Sequence, residues 1–207
     1  MISALALLAA ASSAVAAFRA DFPGASVTES PAGGRLTNAS GFEARGLGAD
    51  PESAARAFLD KYGAAFGIAG RQKLALGDAA HSGEPPRRIR FERRIDGLPV
   101  FDGDVILALD ASNAVILVNT SDVPPKISGQ FRISKKSAIG AAQKALKNPK
   151  TSAPPRAVRG WKAAGSAVRP VWRVDLAAEQ PPGEWRSFVD AETAKVLLRR
   201  DLRTTAH

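Results

Sequence analysis

Arg90-Phe91-Glu92-Arg93-Arg94-Ile95-Asp96-Gly97-Leu98-Pro99-Val100-Phe101-Asp102-Gly103-Asp104-Val105 is the stretch from which the fold is read. Residues 87–95 and 100–109 alternate apolar and polar side chains with the period of two expected of half-buried strands. They are joined by Asp96-Gly97-Leu98-Pro99, and Asp-Gly is a hairpin signal because such turns need positive φ. Arg88, Arg90, Glu92 and Arg94 share one face of the first strand. Ile89, Phe91 and Ile95 share the other, with Arg93 among them. A third strand is expected over 115–118, after a turn at 110–114.

Upstream, Asp50 is a good N-cap with Pro51 at the first helical position, and Ala54, Ala55, Phe58, Leu59, Tyr62 and Phe66 recur at helical spacing. Gly67 supplies the stop. Downstream, Asp122-Val123-Pro124-Pro125-Lys126 interrupts regular structure, because consecutive prolines cannot donate to a helix or a sheet. The pattern then repeats. Ser134 caps a helix whose apolar positions are Ala138, Ile139, Ala142, Ala145 and Leu146, with Ile133 as a hydrophobic staple. Strands are expected near 168–176, at 185–189 and at 195–199, with turns at 181–183 and 190–194. A helix across one face of an antiparallel meander buries that face and leaves the other wet, so the fold class is α+β with two small modules.

Composition limits the chemistry. The 207 residues contain no cysteine and two histidines, and 29 Lys and Arg stand against 20 Asp and Glu, a net charge of +9. No disulfide, thiol nucleophile or iron–sulfur cluster is available. A self-contained zinc site, usually three or four Cys, His or carboxylate ligands, does not follow from His81 and His207 alone. One loop histidine is also a poor basis for a Ser-His-acid triad. The net charge is an electrostatic footprint, yet no nucleic-acid motif accompanies it.

Residues 2–17 carry no charged side chain, and Ala14 and Ala16 form an A-x-A pattern, so residues 1–17 read as a signal peptide and the chain as secreted or periplasmic. The run is shorter than the roughly 20 residues of a membrane span, and no span is expected after cleavage. Residues 18–48 alternate poorly and are expected to be extended or flexible.

The Gly97-Leu98-Pro99-Val100 turn between its two strands resembles the fungalysin/thermolysin propeptide (FTP) domain, here over 49–121. Val171-Trp172-Arg173-Val174, Trp185 and the run Phe188-Val189-Asp190-Ala191-Glu192-Thr193-Ala194-Lys195-Val196-Leu197 resemble a PepSY domain, here over 131–202. A Pro-rich linker at 122–130 separates them and a tail follows at 203–207. Two departures stand out: Ala194 and Asn113 occupy turn positions where that family prefers glycine-type geometry.

The resemblance implies a cystatin-like arrangement in each module. It also implies a regulatory role: an intramolecular chaperone and inhibitor of a zinc metallopeptidase whose H-E-x-x-H helix is absent from this sequence. The chain is then no enzyme, it holds no cofactor, and zinc belongs to the partner catalytic domain, joined in cis or met in trans. A free-standing exported PepSY-type module acting on a peptidase or another exported protein is the alternative. Candidate docking residues are Arg88, Arg90, Arg94, Gly97, Leu98 and Pro99. Asp201, Arg203, Thr204, Thr205, Ala206 and His207 are the candidate cleft-directed tail, because they would run on into the enzyme.

Overall fold

The computed structural model describes residues 4–68, 72–77, 84–180 and 182–205. Two compact units divide the chain: residues 1–126 with 165–167, and residues 127–164 with 168–207. Both are α+β.

In the first unit, helix α1 (Ala4–Asp21) precedes strands β1 (Ser26–Glu29) and β2 (Leu36–Ala44). Helix α2 (Pro51–Tyr62) and a 3-10 turn over Gly63–Phe66 follow. Then come β3 (Gln72–Leu76), β4 (Arg87–Ile95), β5 (Leu98–Phe101), β6 (Val105–Leu109) and β7 (Val115–Thr120). The antiparallel order is β1-β2-β7-β6-β4, with β5 and β3 also paired to β4.

Helix α2 begins as its sequence dictates. Asp50 accepts from the Ser53 amide at 3.0 Å, Ser53 Oγ accepts in return from the Asp50 amide at 3.2 Å, and this reciprocal pair satisfies two otherwise orphaned donors. The helix ends at Tyr62, and the 3-10 turn that continues it stops where Gly67 adopts φ 69°; a Cβ there would stand 2.8 Å from Arg35 Cδ, so both backbone and space favour glycine.

Within residues 18–48, expected to be extended or flexible, 26–29 and 36–44 are extended strands, whereas 18–21 are the last turn of α1. Helix α1 runs through the 17/18 boundary, and Phe18 is fully buried among Phe22, Phe42, Phe58, Tyr62 and Phe66. The poor alternation of β2 has a physical cause: Gly41 sits at φ 71° and the register with β7 shifts between Ser40 and Ala44, so inward positions lose their period of two. Residues 100–109, expected as one strand, form β5 and β6 with a jog between them. Asp102 there has φ 56°, and the β4 register changes from Arg94↔Pro99 to Phe91↔Val105.

In the second unit, helix α3 (Lys135–Ala145) is capped by Ser134 Oγ, which accepts from the Ser137 amide at 3.1 Å. Its strands are β8 (Lys150–Thr151), β9 (Arg156–Ala164), β10 (Ala167–Gln180), β11 (Pro182–Asp190) and β12 (Val196–Asp201). The order is β9-β10-β11-β12, with β8 also on β10. Ala138, Ala142 and Leu146 pack on Trp172, Val174, Leu176, Val189 and Ala191. Strand β9 is an addition to the expected meander: its buried positions, Gly160 and Trp161, are adjacent rather than alternate, which removes the pattern that marks a strand.

Candidate functional site

Strand β4 positions one set of candidate docking residues. Asp96 (φ 51°) and Gly97 (φ 78°) are both left-handed, so a two-residue turn brings Leu98 opposite Ile95 and Pro99 opposite Arg94. Arg94 donates to the Gly97 carbonyl at 3.3 Å and to Glu92 at 3.4 Å, which ties it to the hairpin end. Arg88 and Arg90 lie on the same face further along, opposite Ala108 and Ile106 of β6. Arg88 is exposed, and Arg90 reaches Asp104 at 2.6 Å. The structure therefore gathers Arg94, Gly97, Leu98 and Pro99 at one end of the hairpin and holds Arg88 and Arg90 beside β6. Asp110, just after β6, is committed to its own turn: its carboxylate accepts from the Ser112 hydroxyl and the Ala114 amide, which hold it below the usual carboxylate range.

The opposite face of β4 holds a feature that the sequence marks only faintly. Arg93 is fully buried. It donates to the carbonyls of Phe66 at 3.2 Å and Gly67 at 3.3 Å, to Gln72 Oε1 at 3.0 Å and to Thr120 Oγ1. These partners come from the end of the α2 segment, β3 and β7, so one guanidinium links three elements to β4. Burial, with the Arg35 charge acting in the same direction, lowers its pKa to about 10. Arg35 is itself buried and is paired to Asp122, which also accepts from Ser30 Oγ at 2.8 Å. The signal was a single Arg at an inward strand position.

The second set of candidates begins at the end of β12. Asp201 Oδ1 accepts from the amides of Arg203 at 3.1 Å and Glu184 at 3.3 Å, and the Arg203 amide is the chief reason its carboxyl is held low. Arg203 also donates to the Pro182 carbonyl. Thr204 and Thr205 close a 3-10 turn, Leu202–Thr205. A groove of about 370 Å³ is lined by Pro154, Leu176, Glu184, Trp185, Arg186 and Leu202. The tail thus leaves the sheet from a fixed root. Ala206 and His207, with His81 and Pro181, lie outside the described residues.

Among the described residues, no group of three or more His, Cys, Asp or Glu side chains is placed to hold a metal ion, and no helix is long and apolar enough to cross a membrane.

Comparison with known proteins falls on this same hairpin. Residues 87–121 match the fungalysin/thermolysin propeptide motif. The match starts at Arg87 and spans β4 to β7, so it contains both the exposed arginine face and Arg93. The chain is also similar to bacillolysin of Bacillus amyloliquefaciens, 27% identical over 162 residues that make up 72% of this chain and 31% of that protein. Bacillolysin of Bacillus subtilis strain 168 is 26% identical over 167 residues, 75% of this chain and 32% of that one. The chain therefore spans about a third of the length of the curated relatives it matches. Among solved structures, the C-terminal domain of YpeB from Bacillus megaterium aligns over 97% of this chain and 98% of its own, at 11% identity and a TM-score of 0.37.

Proposed function

We propose that this chain is the propeptide region of an exported zinc metallopeptidase, with an FTP-like first module and a PepSY-like second one. It assists folding of the catalytic domain and holds it inactive, and it performs no catalysis itself. The observation that carries this reading is the propeptide-motif match at 87–121, set inside an alignment to bacillolysins over 72% of the chain. Zinc belongs to the partner, whose catalytic domain would follow the tail in cis or be met in trans. The Arg88, Arg90 and Arg94 face would meet an acidic surface of that domain. The tail from Asp201 to His207 would enter its cleft, with the Asp201–Arg203 turn setting the direction of exit.

The test is titration of the purified chain into several thermolysin-like peptidases, reading both residual activity and the yield of refolding from denaturant. Inhibition in the micromolar range or better, or a severalfold gain in refolding yield, is expected with at least one enzyme. No effect on either quantity across the panel sinks the reading. The coding sequence downstream decides between action in cis and in trans: an in-frame H-E-x-x-H domain selects the former.

A further inference from the structure

The charge of the molecule is not shared evenly. Residues 127–207 hold 16 Lys and Arg against 6 Asp and Glu, a net of +10, whereas residues 1–126 hold 13 against 14, a net of −1. The entire excess therefore belongs to the second unit. Within it, β12 ends the strand order, and among the described residues it pairs only with β11. An unpaired edge offers a row of backbone donors and acceptors to any extended chain, and proteins usually blunt it with charge or proline. Here two large apolar side chains stand on it, Leu197 at 36% and Leu198 at 41% exposure.

The rim of this edge is basic. Arg199 donates to the Ala145 carbonyl at the end of α3 and lies over the Trp185 ring, 5.5 Å from its centroid, so the end of α3 is held beside β12. Lys144 and Lys147, on either side of Ala145 in sequence, are exposed, as is Lys195 just before the strand. Helix α3 contains no carboxylate at all.

We infer that β12 receives an extended strand from an acidic polypeptide partner, paired through the backbone, seated on Leu197 and Leu198 and attracted by Lys144, Lys147, Lys195 and Arg199. Main-chain pairing supplies the affinity in such strand addition and the side chains choose the partner, while complementary charge raises the rate of encounter. A second copy of this chain fits poorly, since two modules of net +10 repel. A lipid surface also fits poorly, since Ala138 and Ala142 of α3 and Leu146 at its C-cap are turned into the core and leave that helix little to insert. The inference goes beyond the propeptide reading and stands without it.

The test uses the full chain and a capped synthetic peptide alternating glutamate and valine, with its lysine–valine counterpart as control. Amide hydrogen exchange read by NMR is expected to slow at residues 196–201 with the acidic peptide alone, and the apparent affinity to fall at least tenfold between about 50 and about 300 mM NaCl. Leu197→Lys combined with Leu198→Lys should abolish the protection. Lys144→Glu with Lys195→Glu, which leaves the sheet untouched, should weaken it tenfold or more. Equal protection by both peptides, or none at β12, overturns the inference. So does edge-to-edge dimerisation in sedimentation, or binding to phosphatidylglycerol vesicles that the leucine variant leaves unchanged.

Discussion

Phe18 meets Tyr62 edge to face, with ring centroids 5.6 Å apart and planes at 90°, and the Tyr62 hydroxyl donates to Asp21 three residues further along the same helix, at 2.5 Å. The last turn of α1 is therefore part of the first unit's core. Phe18→Ala should cost about 3–5 kcal/mol, the usual range for emptying a fully buried aromatic site, measured by urea denaturation. A chain starting at Ala17 should fold, losing only contacts such as those of Val15. One starting at Pro23 should lose cooperative unfolding of this unit. A loss below about 1 kcal/mol for Phe18→Ala would show that α1 is not integral to the core.

Arg93 makes the opposite kind of core contribution, polar and fully enclosed. Arg93→Met keeps the side-chain length but leaves the carbonyls of Phe66 and Gly67 without this donor, and the predicted loss is about 3 kcal/mol. Burial makes the charged form less favourable in the folded state, so the folded pKa of about 10 lies well below the ordinary arginine value. Protons are then released more readily from the folded chain, and stability attributable to this group rises with pH across that window. The gap between wild type and Arg93→Met should widen from pH 9 to pH 11 in paired denaturation curves. A constant gap rejects the electrostatic part of this account.

The turn between β11 and β12 contains a residue in a costly conformation. Ala194 has φ 61°, a left-handed backbone that penalises any Cβ. Ala194→Gly should raise stability by about 1 kcal/mol despite the entropy that glycine adds to the unfolded chain. The same change at Ala141, inside α3, should lower it by about 1 kcal/mol. Thermal unfolding of the two variants side by side checks the pair of opposite signs.

These residues also show what sequence can carry. Asp50, Ser134 and the Asp96-Gly97 turn act through neighbours a few positions away, so caps and hairpin follow from local chemistry alone. The positive φ at Asn113 and at Ala194 was legible for the same reason, each being an unusual residue at a glycine-type position of its own turn. Phe18 was not legible, since residues 1–17 read as a leader and the segment that Phe18 opens alternates poorly. Its role depends on rings 24 to 48 positions away, from Phe42 to Phe66. The docking candidates were visible as an arginine face, but the basic rim of β12 depends on α3 lying next to it, a tertiary fact. β9 lacked any periodic signature because its buried residues, Gly160 and Trp161, are neighbours.

Asp190 predicts acid sensitivity of the second unit. Burial raises its pKa, but the Thr193 and Glu192 amides, the Thr193 hydroxyl and Arg169 together outweigh that and leave it below the ordinary carboxylate value. A lowered folded pKa gives stability that is complete above the unfolded value, about 3.9, and is lost as pH falls through the folded one. Asp190→Asn should cost about 1–2 kcal/mol at pH 7 and progressively less below pH 4. A difference that does not shrink on acidification would mean that the charge of Asp190 contributes nothing to folding.

The arginine face of β4 separates a docking role from a structural one. The Arg94–Glu92 pair is substantially exposed, and exposed pairs contribute about 0–1 kcal/mol. Arg88→Glu combined with Arg94→Glu should therefore leave urea stability within about 1 kcal/mol of wild type. If this face meets an acidic catalytic domain, the same variant should associate at least tenfold more slowly with a peptidase that the wild-type chain inhibits, and added salt should narrow the difference because screening removes steering. Stopped-flow inhibition at low and high ionic strength reads both quantities. Unchanged association at low salt, with the fold intact, would remove the β4 face from the docking surface and leave the tail after Asp201 as the remaining candidate contact.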